Sequence, residues 1–160
     1  MDAAIKKQAL RLFTYGLYIG TAGHGDDVAA GTINWVSQAS FQPPLVMAGV
    51  KADSHLHALI ESTGQFAINV LSADQKGVAQ DFFRPSQQDG QSLNGHAFEP
   101  GPATGSPLLT ELPAWVECRV TDAVKRGDHS VFVAEVIEAG VRDDAAKPLD
   151  MWDTGWFYAG

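Results

Sequence analysis

The sequence predicts a mainly β fold, a β-barrel with a few short peripheral helices. About seven segments with strand character follow one another along the 160 residues. They are joined mostly by turn clusters and not by regular crossover helices, the pattern of a barrel and not of a parallel α/β sheet. The helical segments, about three in number, are all short.

The first helix is marked by Ile5, Ala9, Leu12 and Phe13, which recur at helical spacing, with Lys6, Lys7, Gln8 and Arg11 on other faces. Gly16 breaks it, and residues 15–22 are aromatic and β-branched enough for a strand. The cluster Gly23-His24-Gly25-Asp26-Asp27 predicts a hairpin turn into a second strand over 28–38. Phe41-Gln42-Pro43-Pro44 is a stiff, exposed corner, because a residue before proline is driven to extended geometry. Residues 45–51 form the next strand. A helix follows, capped by Asp53 or Ser54, with Leu56, Leu59, Ile60 and Thr63 inward and Gly64 as its stop. Phe66, Ile68 and Val70 alternate with Ala67, Asn69 and Leu71 as a strand. Ser72 to Gln75 starts a third helix carrying Val78, Phe82 and Phe83 to the core.

Residues 84–105 are rich in Gly, Pro, Ser, Gln and Asn and read as irregular chain, functional or mobile, within the same domain. Val116, Cys118 and Val120 alternate with Glu117, Arg119 and Thr121 in a strand over 114–125. Arg126-Gly127-Asp128-His129 is a turn, 130–141 is a strand, and the aromatic stretch 148–160 closes a single domain over 1–160.

Composition narrows the function. Eleven Lys and Arg against nineteen Asp and Glu leave a formal charge of −8, which argues against a nucleic-acid or anionic-membrane binder. Cys118 is the single cysteine, so no internal disulfide or cysteine-based metal cluster is expected. No apolar run has the length of a membrane span, and the N-terminus lacks a signal-peptide core, so a cytoplasmic protein is expected. Neither G-x-S-x-G, a P-loop nor H-E-x-x-H is present. His55 and His57 point about 200° apart on a helix and cannot share a metal, and His24 and His96 fall in loops. These histidines are expected at the surface.

Residues 31–42 are more informative. A core strand of that length would carry more Val, Ile and Leu; here Thr32, Asn34, Ser37, Gln38 and Ser40 bring hydrogen-bonding groups. Such a strand is either an amphipathic strand with one wet face or a surface on which a flat heteroaromatic ring can lie.

The block N-W-V-S-Q-A-S-F-Q-P-P-L-V, followed by D-S-H-L-H-A-L-I and G-Q-F-A-I-N-V-L, resembles the flavin reductase-like, FMN-binding split-barrel family. G-D-H-S-V-F-V-A-E-V at 127–136 and the N-terminal L-x-x-F-T-Y-G-L-Y-I-G-T-A are similar to further blocks of that family, in its order. The resemblance implies an antiparallel split barrel, a homodimer, and FMN or FAD bound near the subunit interface. It implies that Asn34, Trp35, Val36 and Ser37 lie along the isoalloxazine, that Gln38, Ala39 and Ser40 follow towards the ribityl chain, and that Lys51 and Ser54 meet the phosphate. A lysine and a helix N-terminus are physically apt for an anion. Many members of that family have a threonine where Leu56 stands, and His55 or His57 is available in its place. Without the resemblance, Lys51 reads as an exposed strand-end lysine.

The resemblance also sets His129 beside a nicotinamide; its local reading is a turn residue that hydrogen-bonds nearby. Trp152, Trp156 and Phe157 would wall the flavin or pack as core or dimer contacts. The implied activity is NAD(P)H:flavin oxidoreduction, with no acid–base catalytic residue required and a monooxygenase or other redox partner downstream. The rival is an FMN-binding electron-transfer flavoprotein reduced by a partner redox protein, since the same blocks resemble flavin domains attached to rubredoxin or diiron modules. A flavin carrier or sensor without turnover is a third reading.

Overall fold

The computed structural model describes residues 1–158; Ala159 and Gly160, the end of the aromatic closing stretch, lie outside the described residues. The chain begins with helix α1 (Ala3–Arg11), followed by strands β1 (Tyr18–His24), β2 (Asp27–Ile33), β3 (Val36–Ser40) and β4 (Leu45–Lys51). Helix α2 (His55–Thr63), β5 (Gln65–Val70) and α3 (Lys76–Asp81) come next, then four short strands, β6 (Gln88–Asp89), β7 (Ser92–Leu93), β8 (His96–Pro100) and β9 (Pro107–Leu109). Two long strands, β10 (Ala114–Lys125) and β11 (His129–Val141), precede α4 (Met151–Thr154).

Seven strands form one antiparallel sheet in the order β2-β1-β5-β10-β11-β4-β3. Laid flat, β2 and β4 would stand five strand spacings apart, roughly 24 Å. Instead α2 touches β1, β2, β4 and β5, and β2 touches β4. The sheet is therefore curled around the helix. Its core joins Ala29 and Ile33 of β2, Val46 and Ala48 of β4, Leu56 and Ile60 of α2, and Phe66, Cys118 and Phe132 from the strands between. The strand expected over 28–38 is broken: β2 and β3 are opposite edges of the sheet, and Asn34-Trp35 carries the chain from one to the other.

A second cluster covers the outer face of β1 and β5, where Ile19 and Leu71 meet Phe82, Leu93, Phe98, Leu109, Leu149 and Met151. This explains why β1 is buried on both faces. The stretch expected to be irregular, 84–105, holds most of a small sheet, β6-β7-β8-β9, anchored by Leu93 and Phe98.

Local signals act as expected at α2. Ser54 Oγ accepts from His57 N, and Gly64 caps the other end at φ +67°, where a β-carbon is unfavourable. Other expectations fail for tertiary reasons. The apolar stripe of α1 faces outward, with Ile5, Leu12 and Phe13 all exposed. Phe83 is also exposed and packs edge-on against Trp156. Of the histidines expected at the surface in loops, His24 ends β1 and His96 begins β8, where it bonds Asp81 and Glu111. His57 is buried.

Candidate active site

The site grows from the Asn34-Trp35 crossing. As the chain leaves β2 it passes over β4, and Gly49 N donates to Trp35 O at 2.7 Å. Gly49 allows this approach, since a β-carbon there would sit 3.1 Å from Trp35 Cβ and Cε3. Asn34 is buried, with Nδ2 3.7 Å from Met151 Sδ and 3.5 Å from Tyr158 O. Among the described residues, Trp35 Nε1 is a buried donor without an acceptor. Such an orphan costs about 1–3 kcal/mol unless a bound group or water accepts from it.

His129 stands over this tryptophan with ring centroids 4.5 Å apart. Its Nδ1 lies 2.8 Å from Asp128 Oδ1 and its Nε2 2.9 Å from the Tyr158 hydroxyl. The hydrogen bond from His129, with the nearby charges of His129 and Lys51, holds the Asp128 carboxyl below the usual carboxylate range. An ionised carboxylate only accepts, so Nδ1 carries the proton. In the neutral imidazole, Nε2 then accepts from Tyr158 O–H. Tyr158 also packs on Trp35 at 5.5 Å, so Trp35, His129 and Tyr158 form one aromatic cluster.

Lys51 faces His129 across the β4–β11 ladder. Its ammonium is exposed and lies 3.1 Å from Asp53 Oδ1. An ion pair this open to solvent is worth little and is readily exchanged for a stronger anion. Ser54 Oγ donates to Lys51 O at 2.7 Å and accepts from His57 N at 3.1 Å. The amides of His55 and Leu56, at the start of α2, have no acceptor within the helix. Lys51 and this helix terminus converge on one rim.

The structure thus brings Asn34, Trp35, Lys51, Ser54 and His129 to one end of β4 and β11. It does not bring Gln38, Ala39 and Ser40 there. Strand β3 runs away from that end, with Val36 opposite Ala48, Ser37 opposite Met47 and Ser40 opposite Leu45. Ser37, Gln38 and Ala39 are exposed along an edge strand that pairs only with β4. Leu56 is buried in the core, and His57 points inward. His55 is exposed and pairs with Asp27 at 3.1 Å, so of the two histidines only His57 is turned away from the place of the absent threonine. Trp156 lies under the Lys76 ammonium, while Trp152 and Phe157 pack edge-to-face beside α1. Sequence reasoning missed Tyr158 and Asp128. Asp128 had a signal in its adjacency to His129; Tyr158 had only its place in an aromatic tail.

These groups fit a flavin mononucleotide. A cation and free helix amides suit a phosphate, with the Asp53 carboxylate as the group it must displace from Lys51. The open edge of β3 and the orphaned Trp35 Nε1 suit the polar rim of a flat heteroaromatic ring. The protein's relatives carry the same theme. The reductase component of the 4-nitrophenol 4-monooxygenase/4-nitrocatechol 2-monooxygenase of Rhodococcus opacus is 32% identical over 87% of this chain and 72% of its own. A diflavin flavoprotein of Synechocystis is 32% identical over 98% of this chain, which spans only 26% of that longer protein. The structure of the NADH:FAD oxidoreductase SgcE6 of Streptomyces globisporus, in complex with NAD and FAD fragments, superposes with a TM-score of 0.76 at 27% identity over 89% of this chain and 83% of that one. Residues 10–159 match the flavin reductase like domain, and with nearly its whole length so accounted for, the chain belongs to that family.

Proposed function

We propose that the protein is an NAD(P)H:flavin oxidoreductase that takes FMN, with FAD as the alternative flavin. The observation that carries this is the convergence at one rim of an anion site, Lys51 with the α2 terminus, and an aromatic face, Trp35 with His129. The bound pair supplies hydride transfer from nicotinamide to flavin. The chain's own residues bind and orient. Asn34, Trp35, Val36 and Ser37 flank the ring system, Gln38, Ala39 and Ser40 continue the same open edge, and Lys51 and Ser54 hold the phosphate. His129 meets the nicotinamide. No residue needs to move a proton for this step.

A second copy of the chain completes the site in this reading. The open edge of β3 and the outward apolar stripe of α1 are surfaces that a homodimer would cover. Reduced flavin then passes to a monooxygenase or another redox partner, as the name of the Rhodococcus relative suggests. A nicotinamide-dependent enzyme of this kind works where NAD(P)H is held, in the cytoplasm. Among the described residues no helix is long and apolar enough to cross a membrane.

The diflavin flavoprotein relative favours one rival, an electron-transfer flavoprotein reduced by another protein. Anaerobic addition of NADH and NADPH to the flavin-loaded protein decides between them. Bleaching of the flavin band within seconds is the expected result. No bleaching with either nucleotide, by a protein that holds flavin, overturns the reductase reading in favour of the rival.

A further inference from the structure

The ring of His57 ties α2 to β11 inside the fold. Its Nε2 lies 2.8 Å from Ser130 Oγ, and its Nδ1 lies 3.4 Å from Glu61 Oε2 one turn along the helix. The ring tilts against Phe132 at 5.1 Å. Glu61 also pairs with Lys125, which holds its carboxyl below the ordinary range and keeps it an acceptor. With the Nδ1 proton turned to Glu61, Nε2 accepts from the Ser130 hydroxyl. The order Ser–His–Glu is that of a hydrolytic triad, but Ser130 is only 2% exposed and no substrate reaches it. The bond is a structural tie, not an activated nucleophile.

The tie lies directly beneath the Lys51–Ser54 turn. Ser130 stands opposite Val50, and His129 opposite Lys51. His57 N donates to Ser54 Oγ, and Ala52 N donates to Asp128 O at 2.9 Å. The apolar stripe Leu56, Leu59 and Ile60 keeps α2 on the sheet. Apolar contact is non-directional, however, and leaves the helix free to slide by a few tenths of an ångström. The directional bonds from His57 and Ala52 remove that freedom.

We propose that His57 is a positioning residue for the flavin phosphate. Its bond to Ser130 locks the first turn of α2 so that Lys51 Nζ and the amides of His55 and Leu56 keep the spacing that one phosphate requires. This rests on the assignment of the phosphate to Lys51 and Ser54. It gives a histidine that the sequence offers as a direct phosphate ligand a role one layer behind the ligand.

The test is fluorescence titration of FMN and of riboflavin, which lacks the phosphate, against the full chain. His57→Leu and Ser130→Ala should each raise the Kd for FMN roughly tenfold, the equivalent of one lost hydrogen bond, and leave riboflavin within about twofold. The double variant should lose no more than either single one, because both remove the same bond. His57→Gln, which retains a polar group for Ser130, should recover part of the FMN affinity. Ser130→Ala deletes a single oxygen and keeps the test alive if His57→Leu does not fold. Equal loss of both flavins, or no loss of either, overturns the positioning role. Lys51→Ala in the same titration separates the two levels. If it weakens FMN alone while the His57 and Ser130 variants do not, only the positioning role falls. If it too leaves the FMN-to-riboflavin ratio unchanged, the phosphate is not at this turn and both fall.

Discussion

Removing one hydroxyl, in Tyr158→Phe, should make the protein bind NAD(P)H more tightly. In the free protein His129 Nε2 is engaged by the Tyr158 hydroxyl at 2.9 Å, and Tyr158 also covers Trp35. A nicotinamide that uses His129 must first break that bond. A hydrogen bond of this kind is worth about 0.5–1.5 kcal/mol net, and its loss from the free state should lower the apparent Kd about two- to tenfold. The opposite member of the pair should act in the opposite direction. His129→Ala removes the contact itself and should lower kcat/KM for NAD(P)H roughly tenfold, about 1.4 kcal/mol of transition-state stabilisation. The His129 ring also packs on Trp35 and bonds Asp128, so the alanine variant should lose about 1–3 kcal/mol of stability as well. Flavin reduction is therefore followed by stopped flow against nucleotide concentration and expressed per folded molecule. If Tyr158→Phe weakens nucleotide binding as much as His129→Ala does, Tyr158 is a nucleotide contact and not a cover. If neither changes, the nicotinamide lies elsewhere.

Glu117 is fully buried and accepts from Ala103 N, Thr104 N and Thr104 Oγ1 at 2.6–3.1 Å. Glu117→Gln turns an amide donor towards those donors. The expected cost of about 1–3 kcal/mol lowers Tm by roughly 3–9 °C in a chain of this length, with flavin affinity unchanged; an unaltered melting curve would contradict this. Burial, with the charge of Glu117 adding, pushes the Cys118 thiol up to about 12. Its contribution to stability is therefore complete below the ordinary thiol range and is lost as pH rises from there towards 12, because the unfolded chain releases that proton first. A thiol reagent at pH 8 should leave the native protein unmodified and label one site per chain in denaturant; rapid native labelling would show that the strand opens. Light scattering should give about twice 17.1 kDa, and a monomer that still binds flavin tightly would remove the second copy from the site.

What the sequence made legible was what short stretches decide for themselves. Ser54 and Gly64 bound α2 because each satisfies its own helix end, and Val116, Cys118 and Val120 of β10 turn to one core as their spacing predicts. The break at Asn34-Trp35 was not legible, since the residues on both sides have strand character and only curling of the sheet sends them to opposite edges. The strands within 84–105 are two to five residues long, too short for a period to show. Alternation also misjudged Asn69 and Glu117. A period of two reports which face a side chain takes, but not whether another layer covers that face. Here β9 covers the outer face of β5, and Asn69 satisfies itself by accepting from Leu109 N and donating to Ile19 O. The site divides along the same line. Lys51 and Ser54 lie on one turn that the sequence marks as a strand end and a helix start, but the phosphate role proposed for them came from the resemblance of the whole block. His129 could be named from its block, but its partners could not. Tyr158 reaches it from 29 positions away, through a tail whose course is fixed by α4 and by the burial of Met151 beside Asn34. Local sequence thus carries the turn that presents Lys51 and Ser54, whereas the aromatic cluster exists only once the sheet has curled and the tail has closed over it.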